Sequence, residues 1–206
     1  MKYLLALFFI PFSIFYFNSE LDQVVMLAAI AVIGVIYYSD VNIRHICFVL
    51  FFTRIVGFSI LYFNLFALGD DSLQLWKNNR IYLIHLFIDV VSFLLIAFRP
   101  MLSRNWLVKK GIETKEVVMT NADMALMTVF LLFIGVDFLA FAENLIRNLD
   151  YLGVNQDFAK QFWGWDWVFY KYSSMKSILL GLELAAVLSI TTKVARQNFS
   201  RKKAAA

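Results

Sequence analysis

The chain has one cysteine, two histidines, two prolines and only 17% charged residues among its 206 positions. A lone Cys47 excludes an intramolecular disulfide and any metal or iron–sulfur site built from several thiolates. His45 and His85 fall at opposite depths of separate apolar segments, so they cannot ligate one haem iron. HExxH, GxSxG, P-loop and GxGxxG patterns are missing, and with them the usual signals of hydrolytic, nucleotide and dinucleotide sites. His45 and Cys47 are too close on one helix to form a catalytic pair. There is no internal repeat and no potassium-channel filter motif. No catalytic residue, metal ligand or cofactor is therefore expected.

What the chain has instead is apolar surface. It is 61% hydrophobic, with a mean hydropathy of +0.70, against roughly 45–50% apolar residues in soluble domains. The expected fold is an all-α polytopic membrane bundle in which residues 1–203 form a single transmembrane domain. Six transmembrane helices are predicted over residues 3–17, 24–38, 44–68, 81–98, 124–145 and 173–192. The first two are short, which leaves a thin or re-entrant hairpin open. Lys2 before an apolar run resembles a signal peptide, but no small-residue cleavage pattern follows, so a retained first helix is expected. Ala204 to Ala206 read as a cloning remnant.

Lys and Arg in the connections set the orientation. With a cytoplasmic N-terminus, that side receives Lys2, Arg44, Arg99, Arg104, Lys109, Lys110, Lys115, Lys193, Arg196, Arg201, Lys202 and Lys203. The other side receives Lys77, Arg80, Arg147, Lys160 and Lys171. Both termini are expected on the cytoplasmic side of an inner membrane. The basic excess follows from topology and anionic lipid, not from nucleic acid.

Several local signals set the connections. Thr120-Asn121-Ala122-Asp123 is a helix start, Gly69-Asp70-Asp71-Ser72 a turn, and Arg99-Pro100 a helix end. The connection from Arg99 to Asn121 has room for a short surface helix. Between Arg147 and Tyr172, the residues Phe158, Phe162, Trp163, Trp165, Trp167, Phe169 and Tyr170 alternate with polar ones. This predicts an amphipathic aromatic-rich extracytoplasmic segment at the interface, with a lid or a docking surface as its sharper use.

Ionisable groups inside the apolar segments carry the functional argument, because a charge at bilayer depth needs a partner, a wet cavity or a path. Counted at about 1.5 Å per residue, Arg54, Asp89 and Glu183 share a layer, with His85 and Asp137 about one turn further out. His85, Asp89, Ser92 and Ile96 align on one helix face, and Asp137 aligns with Phe130, Ile134, Phe141 and Asn144 on another. Arg54 with Asp89 is the expected ion pair, and Lys176 is expected to snorkel to the outer surface. Arg44, Lys171 and Glu143 read as interfacial anchors. One firm cation then faces three acids. Phe87-Ile88-Asp89-Val90-Val91 resembles the acid-bearing third helix of voltage-sensor domains over those five residues. Arg54 stands alone on its segment, however, with no ladder of cations beside it.

The expected function is conduction or transport of a small cation or proton past Asp89, Asp137, Glu183 and His85, with Arg54 as charge partner. The other reading is a non-conducting membrane subunit or scaffold that binds a partner protein through its aromatic segment or basic tail, its buried charges being structural. Besides the lipid bilayer, the expected partner is a second copy or another membrane subunit, with Gly34, Gly57 and Gly181 as close-packing points.

Overall fold

The computed structural model describes residues 19–69 and 72–204, with side chains over 23–69 and 72–192. The described elements are α1 (Ser19–Ile36), α2 (Val41–Tyr62), α3 (Gln74–Lys109), α4 (Asn121–Arg147), α5 (Gln156–Ala159) and α6 (Trp167–Ala204). Two 3₁₀ turns, Leu149–Leu152 and Lys160–Phe162, flank α5. No strand occurs among the described residues. Four helical stretches are long and apolar enough to cross a membrane: Val41–Tyr62, Gln74–Lys109, Asn121–Arg147 and Gln156–Thr192. A shorter apolar helix covers Gln23–Ile36. The expected span over 3–17 lies outside the described residues.

α2 and α4 start where the sequence supplies an acceptor for their orphan amides, whereas α3 starts after Leu73 without a side-chain cap. Asp40 caps α2 by accepting from the amides of Asn42 and Ile43 at 2.9 and 3.0 Å. Thr120 and Asp123 close a reciprocal capping box at the head of α4. The span expected over 44–68 stops at Tyr62. Beyond it the chain turns with Asn64 and Phe66 at φ +49° and +64°, where a helix cannot continue. Gly69 and Ser72 occupy the expected turn, their backbones bonded at 3.0 Å, while Asp70 and Asp71 lie outside the described residues.

The helix end expected at Arg99-Pro100 is corrected. α3 runs through Pro100 to Lys109, although the proline leaves the Ile96 carbonyl without its amide partner. Tertiary contacts offset that loss. Arg99, 1% exposed, donates from Nε and Nη2 to the two Asp123 carboxylate oxygens at 2.6 and 2.7 Å, from Nη2 to the Val118 carbonyl at 2.6 Å and from Nη1 to Asn42 Oδ1 at 3.2 Å. Arg99 is thus a buried clamp and not a loop charge. α3 ends instead at Gly111, whose φ of +68° permits paired bonds from Gly111 N to Val108 O and Ile112 N to Leu107 O, both 3.0 Å. The surface helix thought possible before Asn121 is absent. That segment makes one turn, with Val117 N bonded to Thr114 O at 3.0 Å, and Val117 is buried against Val41 and Leu107 while the backbone beside it is bonded by Asn42 and Arg104.

α4 is the central helix, packed against α3 on one side and α6 on the other, while α2 lies between α1 and α3. The shared core holds Ile30, Ile46, Leu50, Ile96, Leu126, Phe130 and Phe133. Large apolar side chains also point outward, among them Phe48, Phe52, Phe98, Leu131 and Phe138. Helices apolar on both faces suit a lipid surround better than water. Gly34 and Gly57 serve contacts within the chain. A Cβ on Gly34 would come 3.2 Å from Cys47 Cβ, and one on Gly57 would come 2.9 Å from Ile88 Cδ1. They therefore bring α1 to α2 and α2 to α3.

Replacing Arg99 by glutamine strands the Asp123 carboxylate in the core. Unfolding of the detergent-solubilised protein by heat or SDS is expected to show a loss of about 3–5 kcal/mol. A loss below about 1 kcal/mol would count against the clamp.

Candidate functional site: a buried chain of charges

Five ionisable groups from four helices meet inside the bundle. Glu183 of α6 accepts a hydrogen bond from Arg54 Nη2 of α2. Arg54 Nη1 lies 3.9 Å from Asp89 Oδ1 of α3. Lys176 of α6 then bridges Asp89 Oδ2 at 2.8 Å and Asp137 Oδ1 of α4 at 2.8 Å. Tyr172, one turn before Lys176, donates its hydroxyl to Asp137 Oδ1 at 2.8 Å. The contacts run Glu183, Arg54, Asp89, Lys176, Asp137, Tyr172 without a gap. The three carboxylate side chains are at most 2% exposed, and Arg54 and Lys176 are 14% and 13% exposed.

Helical periodicity explains the convergence. On α3 the buried face carries Tyr82, Asp89, Ser92 and Ile96, and on α4 it carries Phe130, Phe133, Val136, Asp137, Ala140 and Asn144. Lys176 and Glu183 are seven residues apart on α6, nearly two turns, and so face the same way. Phe133 sits between the two cations, its ring centroid 4.9 Å from the Arg54 guanidinium carbon and 4.6 Å from Lys176 Nζ. A π face supplies negative potential without another carboxylate.

Asp89, Asp137, Glu183 and Arg54 are therefore brought together, but three expectations change. Arg54 does make the expected ion pair with Asp89, at 3.9 Å to Oδ1, but its hydrogen bond goes to Glu183, and the closer cation of Asp89 is Lys176 on Oδ2. Lys176 does not snorkel outward, since two buried acids in reach of its flexible stem outweigh the interface. The two expected layers are in consequence joined through its ammonium. His85 is beside this chain and not in it. Its ring is 6.4 Å from that of Tyr172, and it makes no hydrogen bond to either acid. Lys176, Tyr172 and Phe133 are the members that sequence reasoning missed. The charge imbalance of one cation to three acids was the signal pointing to Lys176.

The aromatic connector is only partly packed. Trp163, Trp165, Trp167 and Tyr170 are exposed, while Phe162 is half-buried, with ring contacts to Phe158 and Trp165 at 5.4 and 5.0 Å. Glu143, expected as an interfacial anchor, instead caps α6. Its two carboxylate oxygens accept from the amides of Val168 and Phe169, both at 2.8 Å, where a helix start favours negative charge. Among the described residues no group of three or more His, Cys, Asp or Glu side chains is placed to hold a metal ion.

No family model matches the chain, nor does any curated protein or solved structure.

Lys176→Met leaves Asp89 and Asp137 without their shared cation and is expected to cost about 3–5 kcal/mol of stability in the same unfolding assay. Adding Asp89→Asn and Asp137→Asn should restore most of it. A neutral single substitution would return Lys176 to the surface. Glu143→Gln should speed amide hydrogen exchange at Val168 and Phe169, by an opening free energy lower by about 1 kcal/mol, and unchanged exchange would contradict the cap.

Proposed function

We propose that this chain is a multi-pass membrane protein that passes protons, or a small cation, along the buried acids Asp137, Asp89 and Glu183, with Lys176 and Arg54 setting their charge. One observation carries the reading: three carboxylates share two cations in apolar surroundings, so three negative charges against two positive leave one unbalanced. Burying a net charge is costly. Uptake of one proton or monovalent cation neutralises the site, and its release restores the charge. Direct links of 2.8 Å between Lys176 and both aspartates suit proton transfer better than passage of a hydrated ion. Glu183 Oε1, a buried acceptor without a partner, is the position where a proton would enter the chain, and the unpartnered Arg54 Nε–H can only donate to a water beside it. His85, its ring 6.4 Å from that of Tyr172, joins this path only through a bridging water.

In this reading the protein lies in an inner membrane with both termini cytoplasmic and works as a homo-oligomer or beside another membrane subunit. The aromatic connector then faces the outer interface, where Trp and Tyr favour headgroup depth. The scaffold reading draws on the same geometry, because the shared ammonium ties α3, α4 and α6 together.

Proteoliposomes loaded with a pH-sensitive dye separate the two. Under proton transfer, wild type dissipates an imposed pH gradient and Asp137→Asn does so at least about tenfold more slowly while remaining folded. Potassium and sodium gradients in parallel vesicles identify a cation other than the proton. Under the scaffold reading, wild type carries no flux and Asp89→Asn only lowers stability.

A further inference from the structure

The buried chain divides into two parts by its hydrogen bonds. Glu183 and Arg54 make one pair, an acid and a base in direct contact, and this pair is neutral by itself. What remains is two acids on one ammonium, with Lys176 Nζ 2.8 Å from Asp89 Oδ2 and 2.8 Å from Asp137 Oδ1. The unbalanced charge therefore belongs to the two aspartates.

Their carboxyl groups are near neighbours. Two oxygens at 2.8 Å from one nitrogen stand no more than twice that distance apart, and the side chains come within hydrogen-bonding reach of each other. Both are closed off from solvent, at 1% and 0% exposure for Asp89 and Asp137. Lys176 offsets one of the two negative charges. The other repels its neighbour in apolar surroundings, and one proton between the carboxyl groups turns that repulsion into an O–H···O hydrogen bond. The remaining groups that face the pair are Tyr172, which donates to Asp137 Oδ1 at 2.8 Å, Arg54, 3.9 Å from Asp89 Oδ1, and His85, one turn before Asp89 on α3. Of these only Arg54 is a permanent cation, and its hydrogen bond is given to Glu183.

Other seats for the neutralising charge are poorer. On Glu183 a proton would sit on Oε1, which has no partner among the described residues, so a proton entering there meets no acceptor to hold it. A sodium or potassium ion would need the place between the aspartate oxygens, and the Lys176 ammonium already fills it.

We propose that Asp89 and Asp137 share one resident proton as a carboxyl–carboxylate pair beside the Lys176 ammonium, and that this proton, not an alkali ion, is the species the chain takes up and releases. The proton belongs to the pair and not to either residue. Its part in transport rests on the function proposed above, whereas its presence between the aspartates is measured without any flux.

Infrared difference spectroscopy reads it directly, because a protonated side-chain carboxyl absorbs apart from carboxylates and amides. Wild type in an ester-free detergent at neutral pH is expected to show an acid carbonyl band that shifts in deuterated water. It should shift again when the aspartate carboxyl carbons carry a heavy isotope, and stay in place when the glutamate ones do. Those arms need no variant. Asp89→Asn and Asp137→Asn should each lose the band completely, whereas Arg54→Gln combined with Glu183→Gln, which deletes the neutral pair, should keep it. Adding sodium or potassium to a choline buffer should leave it unchanged. The proposal is overturned by the absence of such a band, by a band that follows the glutamate label, by its survival in folded Asp89→Asn or Asp137→Asn, by its loss in the folded double variant, or by its loss on adding either alkali ion. A band without proton flux in proteoliposomes sinks transport and keeps the shared proton, and flux without the band does the reverse.

Discussion

The ammonium of Lys176, shared by Asp89 and Asp137, is the contact on which the interior depends. Among the described residues neither aspartate has another cation at hydrogen-bond distance, since Arg54 stands 3.9 Å from Asp89 and is bonded to Glu183. A carboxylate removed from water needs such a partner. Satisfying two of them from one side chain requires α3, α4 and α6 to meet at one point. The positions of the helices are therefore fixed by polar contacts at the centre as much as by the isoleucine and phenylalanine packing around them. In lipid, where apolar contact gives no preference between a neighbouring helix and an acyl chain, such polar contacts become decisive.

Two buried clusters in this protein have opposite characters. At one end Arg99, Asp123, Asn42 and the Val118 carbonyl form a closed set in which an arginine fork meets a carboxylate on both oxygens. Its members also cap α4 and hold down the segment that follows α3, so its work is accounted for by the fold. The chain from Glu183 to Asp137 is different. It has three acids to two bases, and Arg54 Nε and Glu183 Oε1 are left without partners. Incomplete satisfaction of this kind is a cost that a purely structural cluster would be expected to avoid, which is why the functional proposal rests on this cluster and not on the other.

Much of the helical framework was legible because the hydropathy pattern and the caps agreed. Thr120 and Asp123 marked a helix start that the backbone adopts, and Asp89, Ser92 and Ile96 on α3 and Phe130, Asp137 and Asn144 on α4 fall on buried faces as their spacing implies, while His85, Ile134 and Phe141 are only half-buried. Local rules failed where a distant partner outweighed them. Pro100 read as a stop, but Arg99 beside it had acceptors from three other segments. Lys176 read as a surface residue because its position along the helix was counted, whereas its neighbours in space were two acids from other helices. Glu143 looked like an anchor for the same reason. A single sequence gives depth along each helix but not rotation between helices, and the pairing of Arg54 with Glu183 in preference to Asp89 depends on that rotation.

α6 carries both a cation and an acid of the buried chain, at Lys176 and Glu183, and the two are gripped from different directions. Lys176 is held by α3 and α4, and Glu183 by α2. The start of the same helix is tied to α4 through Glu143. A turn of α6 about its own axis would therefore disturb the Lys176 and Glu183 contacts together, which makes this helix a mechanical coupling between the α2 side of the charge chain and its α3–α4 side.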